Sequence, residues 1–369
     1  MRTRIAVFVA IVQSILLLAH WFIYETWIGF WPALDPPGIS GPQAILALLS
    51  ISFVAASLLA HRYFNGFVRL LYKIAAAWLG IVNFLFLAAC LSWVSSLVAR
   101  LTGLHLDRPA LAAGLFGVAI LVSLYALINA RWVRTRRITV KLQNLPQSWR
   151  GRVAALVSDV HLGHINGAGF MRRIVSRLAR IRPDIVFLTG DLYDGTHVDA
   201  GPMAAPWKDL SPALGTYFVT GNHEEFSDPS QYLEAVRRAG VRVLNSERVV
   251  VDGMQLVGVH HHDSTTADHF RSVMERIGLK REAPSILLSH VPHALAIPEQ
   301  SGVSLQLSGH THGGQFFPFT WITQRIFGKF TYGLQQFGKM LVYTTTGAGT
   351  WGPPMRLGAP PEIVLIQFA

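Results

Sequence analysis

The sequence predicts an α/β protein in two parts, a helical membrane-spanning first third and a soluble α/β domain. Three observations carry that reading. Charge is spread unevenly along the chain, four apolar stretches of near-spanning length fill the first third, and from Val153 onward short β-rich runs alternate with amphipathic helical patterns.

The membrane part rests on composition. Of 369 residues, 51% are hydrophobic and only 14% charged, with a mean hydropathy of +0.36, too apolar for an ordinary soluble protein. Residues 1–130 hold 7 of the 32 Lys and Arg and 3 of the 21 Asp and Glu, so the excess lies there. The stretches 5–24, 43–60, 74–98 and 110–130 approach or exceed the roughly 20 residues that cross a bilayer core, and predict four transmembrane helices. The first reads as an anchor rather than a cleaved signal, because Ala19-His20-Trp21 is a poor small-residue cleavage site.

Orientation follows from Lys and Arg near the helix ends. Arg2 and Arg4, then Arg62, Arg69 and Lys73, then Arg131, Arg134, Arg136, Arg137, Lys141 and Arg150 fall on one side. Arg100 and Arg108 fall on the other, and the 25–42 loop has none. The asymmetry predicts a multi-pass protein of the inner (cell) membrane with both termini and the C-terminal domain cytoplasmic. The formal charge of +11 owes much to the cluster from Arg131 to Lys141, which reads as a topology signal touching anionic lipid; with no recognition motif, no nucleic-acid partner is expected. A single cysteine, Cys90, lies in the third apolar stretch, which excludes disulfides, cysteine zinc sites and thiol catalysis. Residues 131–152 read as a basic linker into a domain over 153–369.

In that domain the strand-like runs each stop at a polar residue: Val153–Ser158 before Asp159, Ile185–Gly190 before Asp191, Tyr217–Gly221 before Asn222, Met254–Val259 before His260, Ile286–Ser289 before His290 and Leu305–Gly309 before His310. Open α/β sheets place ligand sites beyond such strand ends. Between them Phe170, Ile174, Leu178 and Ile181 share one helix face, Gln231–Ala239 predicts a helix stopped by Gly240, and Leu341–Thr346 and Ile363–Phe368 predict the last strands.

Singly, an Asp or Asn after a strand is a turn residue, and a lone His is more often core than ligand. Here five groups occur in order: Asp159-x-His161, Gly190-Asp191-x-x-Asp194, Gly221-Asn222-His223-Glu224, His290 and Gly309-His310-Thr311-His312. Carboxylate, imidazole and amide oxygen are donors for Mn²⁺, Fe, Zn²⁺ or Mg²⁺. Two such ions about 3.5–4 Å apart can bind both oxygens of an in-line displacement at phosphorus, and a carboxylate between the two ligand sets must bridge them. Asp191 is the natural bridge.

The set resembles the calcineurin-like metallophosphoesterase family, whose pattern D-x-H, G-D-x-x-D, G-N-H-[DE], H, G-H-x-H is complete here across residues 153–312. The Gly309–Gln315 ending and the Gly347–Pro354 segment look like its bacterial, membrane-anchored branch. The resemblance implies a metallophosphoesterase fold, a two-sheet sandwich flanked by helices, and a hydrolase acting on a phosphate ester or pyrophosphate. By position it implies two divalent ions, manganese foremost, one on Asp159, His161, Asp191 and His312 and the other on Asp191, Asn222, His290 and His310. It further implies attack by a metal-bridged hydroxide, His223 as the proton donor to the leaving oxygen, and Asp194 as the residue that orients His223. The alternative is a non-catalytic regulatory or binding module on the same anchor, against which stands the full ligand set.

Three segments stay outside that pattern. His260-His261-His262-Asp263 reads as an exposed polar loop, with a substrate-contacting rim or an extra metal contact as the alternative. Gly347–Gly352 matches G-x-G-x-x-G, but Pro353-Pro354 bars the helix a dinucleotide site needs, so it reads as a rigid loop near the site. The run Phe316, Phe317, Phe319, Trp321, Ile322, Ile326, Phe327, Phe330 and Tyr332, with Arg325, Lys329 and Lys339, suits either core beneath the site or a head-group boundary. A lipid-linked substrate fits a site anchored beside a bilayer.

Overall fold

A computed structural model describes residues 2–31, 41–226 and 228–369. The four apolar stretches form α1 (Arg2–Phe30), α2 (Gly41–Ala60), α3 (Gly66–Thr102) and α4 (Arg108–Asn129), each long and apolar enough to cross a membrane. The expected boundaries were too short. α3 takes in Arg69 and Lys73 because Asn65 starts it early, its side chain accepting from the Val68 amide at 3.0 Å, and Gly103 at φ 71° ends it. Of the 25–42 loop, residues 25–30 belong to α1 and residues 32–40 lie outside the described residues. His20 is buried within α1; its Nδ1 donates to the Leu16 carbonyl at 2.7 Å, and its Nε2 accepts from Trp78 Nε1 at 2.9 Å.

The chain divides into two compact units, Met1–Asn129 with Gly352–Met355, and Ala130–Trp351 with Arg356–Ala369. In the second, β1 (Arg134–Val140), β2 (Val153–Val157), β3 (Ile185–Thr189), β4 (Thr216–Val219) and β5 (Arg242–Val243) join β12 (Glu362–Phe368) in one sheet of order β1-β12-β2-β3-β4-β5. The other sheet has the order β10-β11-β9-β8-β7-β6, with β6 (Glu247–Val251), β7 (Met254–Val259), β8 (Ser285–Ser289), β9 (Leu305–Ser308), β10 (Gly333–Phe337) and β11 (Met340–Thr344). Leu156, Phe187, Val219, Leu256, Leu288, Leu307, Tyr343 and Ile366 interlock between the two sheets, closed at one end by Trp149. Alternate residues of a strand face opposite ways, and β2, β3, β7 and β8 are buried on both faces, which is why they read as unbroken apolar runs.

The basic linker reading of 131–152 needs correction. Residues 134–140 pair in parallel with β12, because Thr135, Ile138, Thr139 and Val140 are β-branched and Val140 fills the core. Arg136 works inside the domain: its Nη1 donates to the Tyr332 hydroxyl at 2.6 Å, which donates to Glu362 at 3.0 Å.

Helices flank the sheets: α5 (Ala168–Ile181), α6 (Ala200–Ala204), α7 (Ser230–Arg238), α8 (His261–Ser264), α9 (Ala267–Ile277), α10 (Ala296–Gln300) and α11 (Phe319–Phe327). α5 buries Phe170, Ile174 and Leu178 at the expected spacing, and α9 seals the outer face of the second sheet with Phe270, Val273 and Met274. β2, β3 and β4 run parallel in one sheet, and β7, β8 and β9 in the other, so each sheet brings three carboxyl ends to one rim.

Candidate metal centre

Each predicted donor sits one to five residues beyond a strand, where the chain leaves the sheet sharply. Asp159, His161, Asp191, His310 and His312 have φ of 52°, 49°, 50°, 67° and 50°, a left-handed conformation that L-residues seldom adopt. The turns approach so closely that glycine is required between them. A Cβ at Gly309 would lie 2.2 Å from Asp159 Oδ2, and one at Gly221 2.2 Å from Asp191 Oδ1.

Donor atoms of Asp159, His161 and His312 lie within 4.8 Å of one another, as do those of His161, Asp191 and His223, and those of Asp191, His290 and His310. His161 Nε2 and His312 Nε2 face each other at 2.9 Å, and Asp159 Oδ1 is 3.5 Å from the latter. Asp191 Oδ2 is 3.1 Å from His290 Nε2, 3.8 Å from His161 Nε2 and 4.0 Å from His223 Nε2. Asn222 Oδ1 is 2.9 Å from His310 Nδ1, itself 3.3 Å from His290 Nε2. All seven side chains expected as ligands thus converge. His223 joins them geometrically but is the most distant of the three imidazoles around Asp191 Oδ2.

Hydrogen bonds fix which atoms point inward. His290 Nδ1 donates to the Thr189 carbonyl at 2.7 Å, turning Nε2 to the centre. The His310 amide donates to both Asp159 oxygens at 3.0 and 3.1 Å, and the His223 amide to Asp191 Oδ1 at 2.9 Å. His223 Nδ1 donates to a carbonyl at 2.7 Å, and that carbonyl is the main chain of Asp194. Asp194 thus meets His223 through its main chain, while its carboxylate turns back to the amide and hydroxyl of Thr196 and holds the turn.

Electrostatics favour cations here. Burial pushes His161 and His312 well below the usual histidine range, the nearby His223 and Arg356 adding to it respectively, and burial with His290 takes His310 to about 3. A neutral imidazole has one lone pair to offer a cation. Burial opposes ionisation of Asp191, yet the surrounding histidines hold it well below the carboxylate range; His290, against its own burial, is raised to about 10 by Asp191. Burial raises Asp159 to about 6. Both carboxylates are fully buried with histidines as their ion-pair partners. A buried carboxylate needs a compensating charge, and this set of oxygen and nitrogen donors fits divalent cations well.

Several contributors were not singled out from sequence. Glu224, fully buried, accepts from the amides of Asp191 at 3.0 Å, Tyr193 at 2.8 Å and Gly221 at 2.8 Å, lashing two donor turns together; its place in Gly221-Asn222-His223-Glu224 was the available signal. Arg356 is buried against His312. Phe226 and Trp351 flank the His223 ring at 4.5 and 5.7 Å between centroids. The Gly347–Gly352 loop does lie at the site, its Ala348 and Gly349 amides donating to the Ser158 and Asp159 carbonyls at 2.9 and 2.8 Å.

The His260–Asp263 reading as an exposed loop is also corrected. His260 is buried and its Nδ1 accepts from the Thr220 amide at 3.2 Å; His261 starts α8 with its ring 6.2 Å from His290. Burial brings both to about 4, and only His262 is exposed.

A two-sheet sandwich whose strand ends gather buried carboxylates and imidazoles is the arrangement of the metallophosphoesterase fold. The calcineurin-like phosphoesterase profile matches residues 153–314. An uncharacterized metallophosphoesterase of Aquifex aeolicus is 30% identical over 259 residues, 68% of this chain and 97% of its own length. A transmembrane protein with metallophosphoesterase domain of Danio rerio is 29% identical over 391 residues, 97% of this chain and 88% of its own. An uncharacterized metallophosphoesterase of Campylobacter jejuni is 29% identical over 66% of each chain. The chain belongs to the calcineurin-like phosphoesterase family.

Proposed function

We propose that the chain is a membrane-anchored phosphoesterase that hydrolyses a phosphate ester or pyrophosphate with two divalent cations, Mn²⁺ foremost. Asp159, His161, Asp191 and His312 would hold one, and Asp191, Asn222, His290 and His310 the other. The observation that supports this most is the position of Asp191, whose Oδ2 lies 3.8 Å from His161 on one side and 3.1 Å from His290 on the other. When bound, the cations supply positive charge for phosphoryl oxygens and lower the pKa of a water.

His223 would serve as the acid. Its Nδ1–H is committed to the Asp194 carbonyl, which leaves Nε2 to carry the transferable proton to a leaving oxygen. Phe226 and Trp351, 62% and 56% exposed, give the His223 side of the site an apolar rim suited to a leaving group with apolar parts. The apolar helices would anchor the domain in the cell membrane, and the Lys and Arg asymmetry favours the cytoplasmic face; a lipid-linked substrate suits that setting.

Turnover by the full chain, reconstituted and loaded with Mn²⁺, should be measured on soluble and lipid phosphoesters side by side, before and after chelation. Activity that vanishes with chelator and returns with Mn²⁺ is expected. No turnover of any phosphoester by fully loaded protein would sink the reading. A reporter fused after Ala369 should register a cytoplasmic location, and one inserted within residues 32–40 the opposite.

A further inference from the structure

The aromatic and basic run after the metal motif resolves into two parts. Phe316 is buried and Phe330 packs on the core. α11 between them has no buried residue. Phe319, Trp321, Ile322 and Ile326 are 47%, 56%, 40% and 68% exposed, and Phe317 before them 51%. Scattered apolar residues on a surface need no explanation, but a contiguous patch marks a binding face. At helical spacing 319, 322 and 326 form one stripe, bordered by Trp321 and Arg325.

We propose that α11 is an interfacial helix that docks the catalytic domain on an anionic bilayer, so that lipid phosphate is presented to the donor cluster; this last clause rests on the phosphoesterase reading above. Charge complementarity selects the occupant. Between Glu299 and Glu362 the sequence has no Asp or Glu, while Arg325 lies in the helix and Lys329 just beyond its end. The Arg325 guanidinium sits 5.0 Å over the Trp321 ring and the Lys329 ammonium 5.2 Å from that of Phe330. Tryptophan and cations around an apolar stripe match the head-group boundary, where rings sit level with the head groups and cations meet lipid phosphates. The chain's own apolar helices keep a bilayer at hand, so docking is intramolecular in effect and a short helix suffices.

Docking and chemistry are physically joined. Beside the stripe on the same helix, Phe327 packs edge-on to His310 with centroids 6.0 Å apart, and the turn His312–Gly314 leads into α11.

The test uses the full chain in lipid nanodiscs. Cys90 is the only cysteine, so Cys90→Ser gives a background in which Ile326→Cys or Gln324→Cys carries one nitroxide label. Collision with oxygen, which concentrates in lipid, is compared with collision with a water-soluble nickel chelate. In nanodiscs containing phosphatidylglycerol, the label at 326 should be oxygen-accessible and chelate-protected, and the label at 324 chelate-accessible. Arg325→Ala with Lys329→Ala should lower the docked-to-undocked ratio at 326 about 30-fold, two basic contributions at an anionic surface. A 326 label that stays chelate-accessible with phosphatidylglycerol, or one shielded from both quenchers by a protein partner or a second copy, overturns the proposal. The readout needs no turnover, so failure of the phosphoesterase reading would leave it standing. Where turnover is present, Phe319→Ser with Ile326→Ser should lower the rate on a bilayer phospholipid while sparing a soluble nitrophenyl phosphodiester; equal loss on both would remove the link to substrate presentation.

Discussion

Arg356 Nη2 lies 2.9 Å from His312 Nδ1, and its Nη1 donates to the His312 carbonyl at 2.8 Å. The same guanidinium donates to the carbonyls of Thr346 at 2.8 Å, Ala359 at 3.3 Å and Gly349. One fully buried side chain thus holds the main chain of a proposed ligand and clamps it to the loop that crosses Asp159. Burial lowers Arg356 to about 10, so it remains a cation at neutral pH.

Lysine has one donor head and cannot reproduce that fork. Arg356→Lys should therefore weaken metal binding by about 10–100-fold, the usual effect of losing an outer-shell partner, as read by metal titration calorimetry. Unchanged affinity with a lowered thermal midpoint would confine Arg356 to holding the loop.

Asp191→Asn removes the charge between the two donor groups while keeping the side chain's shape. Both ions should be lost together in elemental analysis of purified protein. Retention of two full equivalents would refute the bridging assignment.

His223→Ala should leave metal content intact and lower kcat by about 10²–10⁴-fold, the range of general acid catalysis. The deficit should shrink for nitrophenolate, which leaves without protonation, relative to an alkoxide. An equal deficit on both would argue for a role other than proton donation.

Away from the centre, Asp184 joins β2 to β3, accepting from the Val153 amide at 2.8 Å and Arg152 Nη1 at 2.6 Å. Burial opposes its ionisation, but these donors outweigh it and hold the carboxyl below the usual range. A depressed folded pKa adds stability above the unfolded value of about 3.9 and loses it as pH falls through the folded value. Both partners are about a third exposed, which limits the effect to about 1 kcal/mol. Asp184→Asn should lower the thermal midpoint at pH 7 and converge with the parent as pH falls through the folded value of the carboxyl; a constant gap across pH would mean that packing, not charge, is lost.

What could be read from the sequence follows from periodicity and spacing. Strands β2, β3, β7, β8 and β9 are central and buried on both faces, so their runs and terminal donors stand out. β1 and β6 at the sheet edges are half-exposed and charged, β5 is two residues long, and nothing local separates them from loop. Arg134, Arg136 and Arg137 pointed to a membrane signal because sequence does not show that β12, more than 220 residues later, pairs with them. Asp159, His161, Asp191 and the later candidate donors were legible because metal chemistry restricts donor types. Arg356 was not, since a buried arginine is defined by carbonyls from Thr346, Gly349, Ala359 and His312 that only the fold brings together.

The positive φ of Asp159, His161, Asp191, His310 and His312 bears on whether the site is at work. Glycine reaches that conformation freely, whereas an aspartate or histidine there costs about 1 kcal/mol or more. A scaffold released from catalysis would gain stability by drifting to glycine at any of these positions. This chain has a candidate metal donor at all five, holding side-chain chemistry against the preference of its own backbone, and a relative that had retired the site would be recognisable by glycines at these same turns.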